Sequence, residues 1–126
     1  MTQRANIGKF GEDTACLHLM GLGHSIVARN WRTAHCEVDI VSLKGSELHF
    51  VEVKAKTAPV CADPVLSVTA TKQRNIISAA KAFMRSPLRR TLPADLEVMF
   101  DVLTVVQDSS NQIINYYPNA YRAIYV

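Results

Sequence analysis

At 126 residues, with 48% hydrophobic and 20% charged side chains, the chain is long enough for one hydrophobic core and too short for two, so one domain over 1–126 is expected. Its 14 basic and 11 acidic residues leave a net charge of +3, which permits a polyanionic partner without demanding one. Cys16, Cys36 and Cys61 are an odd set without C-x-x-C spacing, which argues for free thiols, and no run approaches the about 20 apolar residues that span a bilayer; a cytoplasmic protein with no membrane partner is expected.

Residues 3–20 read as a first helix, closed by Gly21 and Gly23. Ile7, Phe10, Leu17 and Met20 give it apolar positions, and Gly8, Gly11, Glu12, Ala15 and Leu19 form a neighbouring stripe that another element can approach closely. Glu12 lies inside that stripe, so it either turns toward the sheet or is a solvated residue favoured by the helix dipole. Residues 24–31 read as a strand.

The most informative stretch comes next. Residues 37–44 alternate and are rich in β-branched side chains, Gly45-Ser46 suits a two-residue primed turn, and residues 47–54 return as a second strand. Pairing Lys44 with Glu47 sets Asp39 opposite Glu52 and Glu37 opposite Lys54, with Val38, Ile40, Val51, Val53 and Ala55 as the core face. Two opposed carboxylates repel unless a cation sits between them, and Mg²⁺ or Mn²⁺ takes such oxygens while keeping positions for water and phosphate. Lys54 projects from the same face as Glu52. The same pattern also describes an exposed sheet face with an ordinary Glu37–Lys54 ion pair; the single glutamate inside the apolar run Phe50-Val51-Glu52-Val53 favours the metal site.

The third strand runs to about residue 57, a proline-bearing loop covers 58–64, and Thr69 or Thr71 caps a second helix running to about residue 85. Its stripe of Ile76, Ile77, Ala80, Phe83 and Met84 extends back to Lys72 and Gln73, within reach of the acidic site. A basic connection (86–94) leads to a strand at 96–106 with one central charge, Asp101, then a turn at 108–111 and a short strand at 113–117; the tail, 119–125, reads as a helical turn. The order α-β-β-β-α-β-β implies an α/β fold with a mixed central sheet flanked by helices.

In order along the chain come Gly11-Glu12 with Ala15, Asn30-Trp31-Arg32, Glu37-Val38-Asp39-Ile40-Val41, Phe50-Val51-Glu52-Val53-Lys54 with Lys56, Lys72-Gln73-Arg74 and Phe100-Asp101-Val102. This series resembles the YraN family of small endonuclease-like bacterial proteins, over nearly the whole chain. That family is similar to the PD-(D/E)xK nuclease superfamily, which includes restriction endonucleases and Holliday junction resolvases, so the resemblance implies a restriction-endonuclease-like fold. It also implies Asp39 and Glu52 as Mg²⁺ or Mn²⁺ ligands, Lys54 as the catalytic lysine, Glu12 as an acid completing the site and Gln73 as an auxiliary polar residue. The chain departs from the family pattern at Cys36 (often Gly), Met99 (often Arg) and Lys56 (often Arg). None of these is a proposed ligand, and the Met99 change bears on a phosphate contact.

The leading expectation is a metal-dependent nuclease acting on nucleic acid, with structured or damaged DNA the expected form. Arg29, Arg32, Lys56, Lys72, Arg74, Arg89 and Arg90 are candidate phosphate contacts, although for any single one of them a solvated basic surface is the simpler reading. The alternative is a non-catalytic nucleic-acid-binding module on the same fold. A third reading, an interaction protein, rests on Tyr116, Tyr117, Tyr121 and Tyr125, which also suit core packing. Related resolvases are dimers, so a homodimer is compatible. His18, His24, His35 and His49 lack zinc spacing, and no Gly-rich phosphate loop is present.

Overall fold

A computed structural model describes residues 3–58 and 68–122, with side chains from residue 9 onward. The chain runs α1 (Gln3–Gly21), β1 (Ser25–Arg32), β2 (Glu37–Lys44), β3 (Glu47–Thr57), α2 (Ala70–Met84), a short 3-10 helix (Pro87–Thr91), β4 (Glu97–Asp108) and β5 (Asn111–Tyr121). The five strands form one sheet in chain order, with β3 and β4 parallel and the other neighbours antiparallel. α2 belongs to the crossover that a parallel pair requires. The architecture is α/β and consistent with the restriction-endonuclease-like fold.

The helices cover opposite faces. α2 packs Ile76, Ile77, Ala80 and Phe83 on Val41, Leu48, Phe50 and Phe100, while α1 packs Ala15, Cys16 and Leu19 on Ile40, Val51, Leu103 and Val105. β3 is therefore buried on both sides from Leu48 to Glu52 and β4 from Phe100 to Val105. Pro118 falls in β5, an edge strand, where a missing N–H is tolerated.

Of the two stripes on α1, the one with small residues faces the sheet. A Cβ on Gly11 would lie 2.6 Å from Ala55 Cβ, so only glycine permits this approach. Phe10, Leu17 and Met20 are exposed; the side chains of Ile7 and Gly8 lie outside the described residues. Beyond Gly21 the helix ends in a Schellman motif: Gly23 takes φ +96°, its N–H donates to the Met20 carbonyl, and the His24 N–H donates to Leu19. Thr69, not Thr71, caps α2, accepting from the Lys72 N–H at 3.2 Å.

Several expectations need correction. The hairpin register is as expected from Lys44↔Glu47 to Ile40↔Val51, with Gly45 at φ +57°, but the paired ladder stops there. Val38 packs with the α2-side cluster and Ile40 with the α1-side cluster, so the alternation breaks at Asp39 and the two do not share a face. Glu37 turns to Arg32 (3.2 Å), its partner in the β1–β2 ladder, and does not face Lys54. The basic connection is partly 3-10 helical. β5 extends from Asn111 to Tyr121 where a shorter strand and a helical turn were expected, because residues 118–120 bulge around a single partner, Asp101, and pairing resumes at Phe100↔Tyr121. The remainder of the expected turn, with Tyr125, and the positions of Pro59, Cys61 and Pro64 lie outside the described residues.

Candidate functional site

β2 and β3 part where the alternation fails, and the acidic side chains meet there. Glu52 is 4% exposed, which is rare for a carboxylate without partners. Its Oε1 lies 3.6 Å from Lys54 Nζ and 3.4 Å from Lys72 Nζ, so one cation comes from its own strand and the other from the first turn of α2. Asp39 is half-buried, accepts from the Val53 N–H at 2.8 Å through Oδ2, and shares a carboxyl–carboxyl hydrogen bond with Glu52. Burial and then the Glu52 charge push the Asp39 carboxyl up to about 8, against the pull of the Val53 N–H.

Glu12 joins this group from α1. The Asn30 side chain, with its amide nitrogen turned to the acids, donates to Glu12 Oε1 at 2.8 Å and to Glu37 Oε1 at 3.1 Å. Asn30 holds φ +50° within β1, a left-handed conformation that asparagine adopts more readily than most residues. Burial raises the Glu12 carboxyl above its ordinary range, opposed by Arg29 and the Asn30 hydrogen bond. Glu12 in turn contributes to the raised Asp39. Four acids from three elements thus converge with two lysines. Among the described residues, no group of three or more His, Cys, Asp or Glu side chains is arranged to hold a metal ion.

The family signature described as "Uncharacterised protein family UPF0102" matches residues 11–105. The chain belongs to the UPF0102 family. It is 35% identical over 121 residues to a UPF0102 protein of Bacteroides thetaiotaomicron, covering 96% of each chain. It is 37% identical over 120 residues to one of Desulforapulum autotrophicum, covering 95% of this chain and 96% of the other. With one of Chlorobium chlorochromatii the identity is 44% over 78 residues, covering 62% and 60%.

In this UPF0102 member the remaining expected site residues are placed unevenly. Gln73 is not brought to the carboxylates; its amide nitrogen donates to the Val68 carbonyl at 3.1 Å, at the entry to α2. Arg29 is paired with Asp13 (2.7 Å) and Arg32 with Glu37. Arg74 bonds Thr71, and Arg89 holds the Pro93 and Ala94 carbonyls. Lys56 and Arg90 are exposed. Lys72, expected within reach of the acidic site as well as among the phosphate contacts, sits at Glu52. No helix among the described residues is long and apolar enough to cross a membrane.

Sequence reasoning missed a second polar group, buried on the α1 side. Asp101 is fully buried, accepts from Tyr116 Oη and from the Asn119 N–H (2.8 Å), and lies 2.5 Å from His49 Nδ1. His49 also bonds Glu47 (3.1 Å), and its ring lies 4.6 Å from that of His24, which bonds Ser42 (2.9 Å). Burial alone would lower the His49 pKa, but its bonds to Asp101 and Glu47 outweigh it and the pKa is raised; burial and the His49 charge lower that of His24. The one legible signal was Asp101, a lone charge inside an apolar strand. The bulge, with Asn119 at φ +51°, wraps β5 around it.

Proposed function

We propose that this protein is a metal-dependent nuclease that hydrolyses phosphodiester bonds of nucleic acid, DNA being the expected substrate, in the cytoplasm. One observation carries the reading: Glu52, buried and hydrogen-bonded to Asp39, with two lysines on one of its oxygens. A purely structural sheet gains nothing from pressing two carboxyls together. A site that exchanges their shared proton for a cation does.

The donor set fits Mg²⁺ or Mn²⁺. Asp39 and Glu52 are hard oxygen donors, and a pair of carboxylates leaves the positions that such ions fill with water and phosphate. Two protein ligands, with the Val53 carbonyl as a candidate third, are enough for an ion of this kind. When bound, the ion supplies Lewis-acid polarisation of the phosphate and lowers the pKa of a coordinated water.

The chain's own residues do the rest. The Val53 N–H fixes Asp39 Oδ2, leaving Oδ1 to turn toward a ligand. Lys54 orients the attacking water or neutralises charge developing on the phosphate, and Lys72 holds the Glu52 carboxylate in place from the helix. Glu12, tethered through Asn30, adds negative charge behind Asp39. Lys56 and Arg90, both exposed, suit phosphate contacts that position the strand.

The test is cleavage of labelled single-stranded, duplex, flap and four-way-junction DNA with Mg²⁺ or Mn²⁺. Cutting is expected; Asp39→Ala should abolish it and Lys54→Ala should lower it about 10²–10³-fold, each with the fold preserved. Full activity in Asp39→Ala contradicts the reading. The second reading, a binding module without catalysis, rests on the exposed basic side chains Lys56 and Arg90 alone. It expects metal-independent binding, unchanged in Asp39→Ala and weakened by salt.

A further inference from the structure

Beneath the end of α1 the sheet buries two imidazoles side by side. His24 closes the turn between α1 and β1, and His49 lies in β3; their ring centres are 4.6 Å apart and both residues are buried. Their settings differ. His49 has a carboxylate at each ring nitrogen, Asp101 2.5 Å from Nδ1 and Glu47 3.1 Å from Nε2. A neutral imidazole carries one N–H, so only the protonated ring donates to both. His24 has no such support. Its Nδ1 meets the Ser42 hydroxyl at 2.9 Å, and it makes no ion pair among the described residues.

The charged and titratable groups facing His24 are His49 and Glu47 on β3, Lys44 on β2, Asp101 on β4 and Tyr116 on β5, whose ring meets it edge-on at 5.9 Å. Burial first, then the His49 and Lys44 charges, lower the His24 pKa; Asp101 and Glu47, both already bonded to His49, oppose this without reversing it. The slot thus holds one imidazolium and one neutral ring. A second proton would set two cations in ring contact away from water, with both nearby carboxylates engaged.

His24 is also where the chain is fastened. It is the one buried residue from Met20 to Ser25, and its N–H donates to the Leu19 carbonyl while Gly23 beside it takes φ +96°. Its ring, bonded to Ser42, therefore ties the helix stop to the sheet.

We propose that His24 and His49 form an acid-sensitive latch: a second proton on the pair drives His24 out of its slot and frees the end of α1 and the start of β1 from the sheet. The latch is closed above pH 6.5, the ordinary value of the imidazole, and opens as pH falls below it. Uptake of one proton raises the opening equilibrium by at most about tenfold per pH unit. The inference is independent of the nuclease reading, since no group in the latch belongs to the Asp39–Glu52 site.

The test is amide hydrogen exchange of the wild-type chain between about pH 7.5 and pH 5, corrected for the intrinsic rate. Exchange in residues 20–27 should quicken below about pH 6.5, by up to about tenfold per pH unit, while residues 76–83 of α2 keep their protection. His24→Gln, which keeps an amide for Ser42 and cannot titrate, should remove the acid response. Ser42→Ala, which leaves both imidazoles in place, should raise opening at every pH and keep the response. Imidazole nitrogen resonances of the wild type at neutral pH should show His49 protonated at both nitrogens and His24 at one. A neutral His49, a His24 that takes up its proton with exchange unchanged, or an acid response that persists in His24→Gln overturns the proposal. Loss of protection in α2 at the same pH assigns the transition to global acid unfolding and overturns it as well.

Discussion

Lys72, in the first turn of α2, reaches Glu52 in the middle of β3, with Nζ 3.4 Å from Oε1. The contact ties the helix that follows the core strands to the most buried carboxylate of the site, beside the strand's own Lys54 at 3.6 Å. Two cations on one oxygen divide the work of offsetting its charge. Lys54→Ala should therefore lower cleavage by about 10²–10³-fold, the size seen when one transition-state donor is lost. Lys72→Ala should lower it less. The double variant should lose stability as well, since Glu52 is then buried without a counter-charge. Single-turnover rates and thermal melts of the three variants check this.

The Asp39–Glu52 contact makes stability depend on pH in a defined direction. With the Asp39 carboxyl raised from 3.8 to about 8, the folded chain holds a proton there that the unfolded chain has lost. Folding then takes up a proton, and the contribution of this group to stability falls as pH rises through that window. Without divalent cations, melting temperature should decline between pH 5 and 8, on the order of 4 °C for each kcal/mol lost. Asp39→Asn should flatten the decline, and Mg²⁺ should offset it in wild type only. A slope unchanged in Asp39→Asn contradicts the assignment.

Much of this was legible before the fold was seen. The Gly45-Ser46 turn set the register from Lys44↔Glu47 to Ile40↔Val51, and the helical period placed Lys72 near the acids. What pattern reading could not reach was the break at Asp39. Alternation extrapolated through it put Val38 beside Ile40 and Glu37 opposite Lys54. The positive φ of Asn30, by which β1 turns an amide toward Glu12 and Glu37, leaves no trace in hydrophobic periodicity. The Asp101 network joins residues from α1's end and from four strands, contacts that no local pattern encodes.

Gly11 against Ala55 sets how closely α1 lies on the sheet, and thus where Glu12 stands. Gly11→Ala places a Cβ 2.6 Å from Ala55 Cβ, and the clash should cost about 1–3 kcal/mol of stability. Adding Ala55→Gly should recover part of that loss. Denaturant unfolding of the two singles and the double variant measures the coupling, and strict additivity would show that the helix does not seat here.

The His49–Asp101 pair acts with the same sign as Asp39, because both pKa values are raised in the folded chain. Because the folded His49 pKa is raised, its contribution is fully present below about pH 6.5 and lost as pH rises through the folded value. Asp101→Ala removes the partner of a buried imidazolium and should cost about 3–5 kcal/mol at pH 6. The deficit should narrow at higher pH, leaving the part due to Tyr116 and the Asn119 N–H. Unfolding curves at pH 6 and pH 8.5 test the difference, and a deficit that grows with pH contradicts it.

The central claim is that Asp39 ligates the divalent ion used for phosphodiester hydrolysis. The most direct measurement is the rate of DNA cleavage by wild type and Asp39→Cys in Mg²⁺ and in Mn²⁺, because a thiolate ligand tolerates Mn²⁺ better than Mg²⁺. Wild type should cut with either ion; Asp39→Cys should be silent in Mg²⁺ and recover in part with Mn²⁺. Cutting at the wild-type rate by Asp39→Cys in Mg²⁺, or no cutting of any substrate by the folded wild type, would contradict the account.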